Sequence, residues 1–168
     1  RGIPQGVAIS PLAMNVYLDR FLDKWWVKRF PGTCLVRYAD DILILCRTRS
    51  AAEHTREVAT GILEGELRLT VNKEKTHLVH ASKGVKFLGV EIGLTWTRIQ
   101  DKKVAAFRDK VKALTRRNSP VNLEQIIADL APVMRGFANY FRMANCKGLF
   151  KELMSWIHRR LRAKQLAL

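Results

Sequence analysis

The segment Tyr38-Ala39-Asp40-Asp41 lies between two apolar runs, Cys34 to Val36 and Ile42 to Cys46. The second run has no polar alternation from Ile42 to Leu45, which predicts a strand that is buried on both faces. The segment from Thr33 to Tyr38 is β-prone and follows a Pro-Gly turn signal, so it predicts the partner strand. Two strands joined through Ala-Asp-Asp form a hairpin, and this hairpin carries two adjacent carboxylates at its tip.

Asp40 and Asp41 can be interpreted in two ways. Carboxylates at the edge of an apolar layer cost free energy unless a cation or a donor compensates them. Hard divalent cations such as Mg²⁺ bind carboxylate oxygens, and phosphoryl-transfer enzymes hold paired ions in this way. Alternatively, the pair is a solvated hairpin turn, because Asp favours turns for local reasons. The tetrapeptide alone leaves both interpretations open.

The chain is strongly basic, with a formal net charge of +15 over 168 residues. Residues 1–100 contain 15 Lys and Arg against 10 Asp and Glu, a net of +5, whereas residues 101–168 contain 15 against 5, a net of +10. The shorter segment is therefore the more basic one. This bias favours a polyanion-binding face, with nucleic acid as the preferred partner. A basic surface that only improves solubility is the alternative, but solubility does not require so one-sided a distribution.

The first hundred residues are predicted to combine helices with strands. Ser10 as N-cap and Pro11 at the first helical position predict a helix that runs to about Phe30. A capping box at Ser50-Ala51-Ala52-Glu53 predicts a second helix that ends near Glu66. This order predicts an α+β fold in which helices cover a sheet. The further predicted strands are Leu69–Val71, Thr76–Val79, Val85–Ile92 and Leu94–Gln100.

The remaining residues predict a small bundle of three helices with short connections. Asp101 can cap the first of these helices, and Asn122 opens the second. Pro132 should kink or divide the second helix, and the last helix runs from Leu149 to Arg162. We therefore predict two domains, residues 1–100 and residues 101–168.

Cys34, Cys46 and Cys146 show neither a disulfide framework nor a zinc spacing, and they are predicted to be buried thiols of a reducing compartment. No apolar run approaches the length of a membrane span, and no signal-peptide pattern opens the chain. We therefore expect a cytoplasmic protein without a membrane partner. The chain begins at Arg1 without Met, so we expect it to be a piece of a longer protein.

Five collinear blocks of this sequence resemble the reverse transcriptases of group II introns. Residues 1–18, RGIPQGVAISPLAMNVYL, are similar to the family block in which a Pro-Gln-Gly loop precedes a helix that begins with Ser-Pro. Residues 37–45, RYADDILIL, resemble the catalytic hairpin, and residues 69–76, LTVNKEKT, resemble the next block with its Lys-Thr pair. Phe87-Leu88-Gly89 is similar to the hairpin called the primer grip. Residues 134–142, MRGFANYFR, with Trp156 and the Arg-rich segment 159–162, resemble the thumb or maturase domain, called domain X.

The resemblance implies a fold and a reaction. The fold is part of a right-hand polymerase palm, a helix-covered antiparallel sheet with a catalytic hairpin, followed by an all-α thumb of three helices. The reaction is transfer of a deoxynucleotide from a dNTP to the 3′-end of a DNA primer on an RNA template. The complete site would use two Mg²⁺ ions, with Mn²⁺ as the alternative. Asp40 and Asp41 are the implied catalytic residues and metal ligands; Asp41 is the weaker ligand and alternatively supports the turn.

The resemblance also implies binding residues. The implied nucleotide- or template-binding residues are Pro4, Gln5, Gly6, Tyr38, Ala39 and Lys75, and the implied primer grip is Phe87, Leu88 and Gly89. The residues implied to bind the backbone of the template–primer, or of intron RNA, are Arg135, Arg142, Lys147, Arg159, Arg160 and Arg162. Some of these residues could instead have a purely structural role. Gln5 and Gly6 could form an ordinary helix-entry loop, Tyr38 could be a strand residue without a binding role, and Lys75 could be a surface lysine. Phe87 and Leu88 could be core residues.

Two parts of the family pattern lie outside this sequence. Family members place another catalytic Asp on an earlier strand, before the Pro-Gln-Gly loop, and they contain template-binding fingers. We therefore expect the chain to need the N-terminal fingers and palm part of the same protein, and to be inactive alone. Two other functions remain as alternatives, an RNA-binding maturase that assists splicing and a CRISPR-associated or stand-alone reverse transcriptase of the same lineage. A homo-oligomer is also left open.

Overall fold

The computed structural model describes residues 8–117 and 120–166, and its contacts divide the chain into two units, Arg1–His80 and Ala81–Leu168. Helices and small antiparallel sheets are both present, which confirms the predicted α+β class. The division by contacts falls twenty residues before the predicted domain boundary at residue 100, because the residues 81–99 fold with the helices that follow them. The assignment of palm and thumb to the two predicted domains stays a prediction.

The hairpin of the first unit forms as the sequence predicts. Strand β1, Cys34–Tyr38, pairs antiparallel with strand β2, Asp41–Leu45. One face packs against the helices through Leu35, Ile42 and Ile44. The other face is open, since Val36 is 41% exposed and Leu45 50%. The prediction of burial on both faces is therefore wrong for this chain, because the described residues form a two-stranded ribbon that is covered on one side only.

A helical run precedes the hairpin and ends where it was predicted to end. It consists of α1, Ser10–Leu18, a π-helical turn, Asp19–Asp23, and α2, Lys24–Arg29. In the π turn the N–H of Lys24 donates to the carbonyl of Asp19, a spacing of five residues. Ser10 is not the N-cap, which is a correction: Ile9 holds that position without a side-chain cap, and Ser10 is already helical. Proline at the start needs no N–H partner, which lets the helix begin without a side-chain cap.

Helix α3, Arg49–Gly61, continues as a second π turn, Ile62–Glu66, so its end is also as predicted. Its start is two residues earlier than predicted. The extended residue Thr48 is the N-cap, and its hydroxyl accepts from the N–H of Ala51 at 3.2 Å. The predicted capping box at Ser50 is therefore wrong, because Thr48 already supplies the oxygen that satisfies a free N–H of the first turn.

Buried side chains from the two helical runs form the core of the first unit. Trp26 is fully buried, and its Nε1 donates to the hydroxyl of Thr33 at 2.9 Å. The other buried members of this core are Leu18, Leu22, Ile62 and Leu67. The strands predicted at Leu69–Val71 and Thr76–Val79 do not form. Among the described residues no strand pairs with them, and an extended segment without a partner has no ladder to satisfy its backbone.

The second unit begins with a three-stranded meander of β3, Val85–Phe87, β4, Val90–Ile92, and β5, Thr97–Ile99. The predicted strand at residues 85–92 is thus two strands joined by a turn. The three predicted helices follow as α4, Asp101–Leu114, α5, Leu123–Tyr140, and α6, Lys147–Gln165. Asn122 caps α5 as predicted, accepting from the N–H of Gln125 at 2.8 Å. Pro132 lies inside α5 without dividing it, so the predicted division is wrong, whereas the alternative of a kink stays a prediction.

Apolar residues from all three helices form the main core of the second unit, namely Phe107, Val111, Ile126, Leu130, Leu153 and Ile157. A smaller cluster of Ile99, Phe141, Ala144 and Cys146 joins the meander to the helices. Cys146 is buried as predicted, but Cys34 is exposed on the open hairpin, which contradicts its predicted burial. In the part of the chain that the structure describes, no helix is both long and apolar enough to cross a membrane.

Candidate nucleotidyl-transfer site

The tip of the β1–β2 hairpin exposes both aspartates. Tyr38 pairs with Asp41 across the strands, so Ala39 and Asp40 form a two-residue turn. Ala39 has a φ of +54°, and the common two-residue hairpin turns need a positive φ at this first position. Asp40 and Asp41 are exposed, as is Tyr38 at 65%, while Ala39 is half-buried. The hairpin therefore brings four of the predicted site residues together and presents two adjacent carboxylates to solvent.

Arg37 connects this turn to the first helical run. Its Nε and Nη2 donate to the carboxylate of Asp23 at 2.6 to 3.0 Å. Its Nη1 donates to Oδ1 of Asn15 at 2.8 Å and to the carbonyl oxygen of Ala39 at 2.9 Å. The hydrogen bond with Asp23 raises the pKa of Arg37 above its ordinary value, although burial opposes this. The guanidinium is therefore cationic throughout the working pH range.

The carboxylates of the tip fit part of a divalent-cation site. Asp40 and Asp41 offer the hard oxygen donors that Mg²⁺ and Mn²⁺ prefer. Within residues 8–117 and 120–166, no group of three or more His, Cys, Asp or Glu side chains could hold a metal ion. Two adjacent aspartates are thus a partial donor set, which substrate oxygens or ligands outside the described residues would have to complete.

Lys75 lies in the same unit on a turn that Asn72 stabilises. Oδ1 of Asn72 accepts from the N–H of Lys75 at 3.1 Å, and the carbonyl of Asn72 accepts from the hydroxyl of Thr76 at 2.8 Å. These bonds fix the backbone and leave the Lys75 side chain exposed. None of the described hydrogen bonds or ion pairs joins Lys75 to the hairpin tip. Pro4, Gln5 and Gly6 lie outside the described residues.

The predicted primer grip is the tip of the β3–β4 hairpin in the second unit. Leu88 and Gly89 have φ values of +48° and +83°, the signs of a type I′ turn. The hydroxyl of Tyr140 donates to the Leu88 carbonyl at 3.0 Å, and the N–H of Gln100 donates to the Gly89 carbonyl at 3.0 Å. Phe87 and Leu88 are both half-buried. This tip is therefore fixed to residues at the start of α4 and the end of α5.

The predicted phosphate-binding residues differ in what they contact. Arg160 donates to the hydroxyl and the carbonyl of Thr115 at 2.6 and 3.0 Å, and its guanidinium lies 5.5 Å from the ring of Trp156. Arg160 thus satisfies the end of α4, so less of it is available to a ligand. The others are exposed to solvent, namely Arg135, Arg142, Lys147, Arg159 and Arg162.

Sequence reasoning assigned no role to Arg37, Asp23 or Asn15. Arg37 directly precedes Tyr38, and Asn15 lies in residues 1–18, so both belong to segments that resemble the family. A single Arg in a strand has no partner that local spacing can identify, since Asp23 and Asn15 are 14 and 22 residues away. Their contact is visible only when the hairpin packs on the helices.

Comparison with known proteins identifies the family. Residues 1–92 match the model of the reverse transcriptase (RNA-dependent DNA polymerase), and residues 104–167 match that of the group II intron maturase-specific domain. The chain belongs to the group II intron-type reverse transcriptase/maturase family. This confirms the resemblance that five sequence blocks indicated. RNA and DNA are the partners that these two domains imply, and reverse transcriptases as a family use divalent metal ions.

Two curated relatives match parts of this reverse transcriptase/maturase chain. It is 30% identical over 157 residues to protein YkfC of Escherichia coli (strain K12), an alignment that covers 75% of the chain and 40% of YkfC. It is 28% identical over 94 residues to the Gag-Pol polyprotein of Rous sarcoma virus subgroup C (strain Prague), covering 56% of the chain and 6% of the polyprotein. The chain therefore spans less than half of either relative.

Proposed function

We propose that the protein containing this chain is an RNA-directed DNA polymerase that adds deoxynucleotides to a primer 3′-end. The observation that carries this proposal is the exposed Asp40–Asp41 pair on a two-residue hairpin turn, within the residues that match the reverse transcriptase model. In this proposal residues 1–100 are part of the palm, and residues 101–168 are the thumb. Two Mg²⁺ or Mn²⁺ ions, when bound, would activate the primer hydroxyl and offset the charge of the transferred phosphoryl group.

The side chains have distinct proposed roles. Asp40 and Asp41 hold the divalent ions, and Asp40 is the principal ligand. Tyr38 and Ala39 border the incoming nucleotide, where the small Ala39 leaves room for it. Lys75 balances the negative charge of the triphosphate and of the leaving pyrophosphate. The β3–β4 tip contacts the primer, and phosphates are contacted by the exposed basic residues Arg135, Arg142, Lys147, Arg159 and Arg162.

Primer extension by the intact protein tests this proposal. Asp40→Asn keeps the size of the side chain but removes its charge, and we expect it to lower the extension rate more than about 100-fold. RNA binding should be unchanged, because the substituted side chain contacts ions and not phosphates. Asp109→Asn is the matched control, since Asp109 is an exposed carboxylate that pairs with Lys112 in α4. Equal activity of Asp40→Asn and the parent would remove Asp40 from the site.

A maturase role is the second proposed function, and the match of residues 104–167 to the maturase-specific domain favours it. The exposed arginines of this segment would bind folded intron RNA. We expect Asp40→Asn to leave splicing assistance intact, whereas Arg135→Ala combined with Arg142→Ala lowers it. Splicing that depends on Asp40 and not on these two arginines would contradict this role.

A further inference from the structure

The turn that carries Asp40 is conformationally unfavourable. Ala39 has a φ of +54°, a region that residues other than glycine, asparagine and aspartate rarely adopt. Such a conformation persists only when surrounding contacts hold it, and it is found most often at functional sites. The contact that holds the Ala39 carbonyl is the 2.9 Å hydrogen bond from Nη1 of Arg37.

Arg37 is itself held by residues of the first helical run. Its side chain is 9% exposed, and its Nε and Nη2 donate to both oxygens of the Asp23 carboxylate. The same Nη1 that reaches Ala39 also donates to Asn15. The planar guanidinium therefore joins two points of the helical run to the turn through one rigid group. Asp23 directly follows the buried core residue Leu22, and its side chain is 25% exposed.

We propose that Arg37 is a positioning residue for Asp40. It holds the Ala39 carbonyl and so keeps the turn in the conformation that directs the Asp40 carboxylate into the site. The inference rests on the proposed polymerase function, because it assumes that the placement of Asp40 limits the reaction. Lysine cannot replace arginine here, since one ammonium group cannot span Asp23, Asn15 and the Ala39 carbonyl with fixed geometry.

The test compares Arg37→Lys with Arg49→Ala in the intact protein. Arg49 is the matched control, because it also pairs with a carboxylate of the first unit, that of Glu53 at 2.9 Å, but is exposed. We expect Arg37→Lys to lower kcat for single-nucleotide addition about 10- to 100-fold with little change in the KM for the primer–template. Hydrogen exchange at the backbone amides of residues 39–41 should become faster in Arg37→Lys and stay unchanged in Arg49→Ala.

The substitution Ala39→Gly tests whether Arg37 acts through the turn. A role of Arg37 in general stability would not depend on which residue occupies position 39. Glycine adopts positive φ without strain, so Ala39→Gly should make the turn less dependent on Arg37. Arg37→Lys should therefore lower kcat less in a protein that already carries Ala39→Gly than in the parent. The comparison is between Ala39→Gly and the double variant Ala39→Gly/Arg37→Lys. An equal loss in both backgrounds, or a parent-like kcat for Arg37→Lys, would overturn the proposal.

Failure of the positioning role and failure of the proposed polymerase function can be distinguished experimentally. If the intact parent shows no primer extension that depends on Asp40, the proposed function fails, whereas hydrogen exchange still reports whether Arg37 holds the turn. If extension depends on Asp40 but exchange at residues 39–41 is the same in Arg37→Lys and the parent, the positioning role fails and the polymerase function stands.

Discussion

Tyr140 and Leu88 are joined by a hydrogen bond, from the hydroxyl of Tyr140 to the Leu88 carbonyl at 3.0 Å, across 52 residues of sequence. Leu88 has a φ of +48°, which is a strained value for a bulky side chain. The β1–β2 tip shows the same arrangement, because Ala39 also has a positive φ and its carbonyl also accepts from a side chain. In each unit, then, a hydrogen bond from a side chain holds a strained hairpin turn that belongs to the predicted site.

Tyr140→Phe should destabilise the chain by about 1 kcal/mol, the net contribution of one hydrogen bond. The substitution keeps the ring and removes only the group that holds the Leu88 carbonyl. Urea unfolding measures the change, and Tyr38→Phe is the control, since Tyr38 is similarly exposed, 65% against 59% for Tyr140, but its hydroxyl makes none of the described hydrogen bonds. Equal unfolding midpoints for the two variants would show that the hydroxyl contributes nothing to the tip.

Trp26→Ala should cost about 3 to 5 kcal/mol in the free energy of unfolding, because it leaves a large cavity in a well-packed core. Trp26 is 0% exposed and packs between the helical runs of the first unit. Val27→Ala, at a side chain that is 69% exposed on the same helix, is the control and should change stability by less than about 0.5 kcal/mol. A loss below about 1 kcal/mol for Trp26→Ala would contradict this packing.

Arg159 and Arg160 are neighbours in α6, but their substitution by alanine should have different effects. Arg160→Ala removes both bonds to Thr115, so we expect lower stability of the helical bundle by about 1 to 2 kcal/mol. Arg159→Ala should leave stability unchanged and weaken RNA binding, with a salt dependence of log K that is smaller by about 0.7 to 0.9. Thermal unfolding and RNA titrations at several salt concentrations separate the two effects. The prediction is contradicted if Arg159→Ala lowers stability and Arg160→Ala weakens RNA binding without lowering stability.

The 168-residue chain alone should bind nucleic acid without extending a primer. Its net charge of +15 supports binding. The tip supplies two carboxylates, Asp40 and Asp41, which are a partial donor set for the two divalent ions of the proposed reaction. Primer extension by the purified chain that Asp40→Ala abolishes would contradict this prediction.

Local sequence signals predicted several elements that stabilise themselves, although the helix starts at Ser10 and Ser50 were misplaced by one and two residues. The hairpin, the end of the first helical run near Phe30, and the Asn122 cap depend on neighbouring residues, and the structure confirms them. The strands predicted at residues 69–79 failed because a strand needs a partner that its own sequence does not supply. The Arg37 contacts were missed for a related reason, since they join residues that only packing brings together.

The π-helical turn at Asp19–Asp23 accommodates one residue more than a regular α-helical turn would. Asn15 precedes this turn and Asp23 ends it, and both bind the same guanidinium. If the same number of residues formed regular α-helical bonds, everything that follows would be rotated by about 100° relative to Asn15. Trp26 would leave the core, and Asp23 would turn away from Arg37. We therefore expect homologous proteins to contain either this π turn or a regular α-helix that is one residue shorter between Asn15 and Asp23.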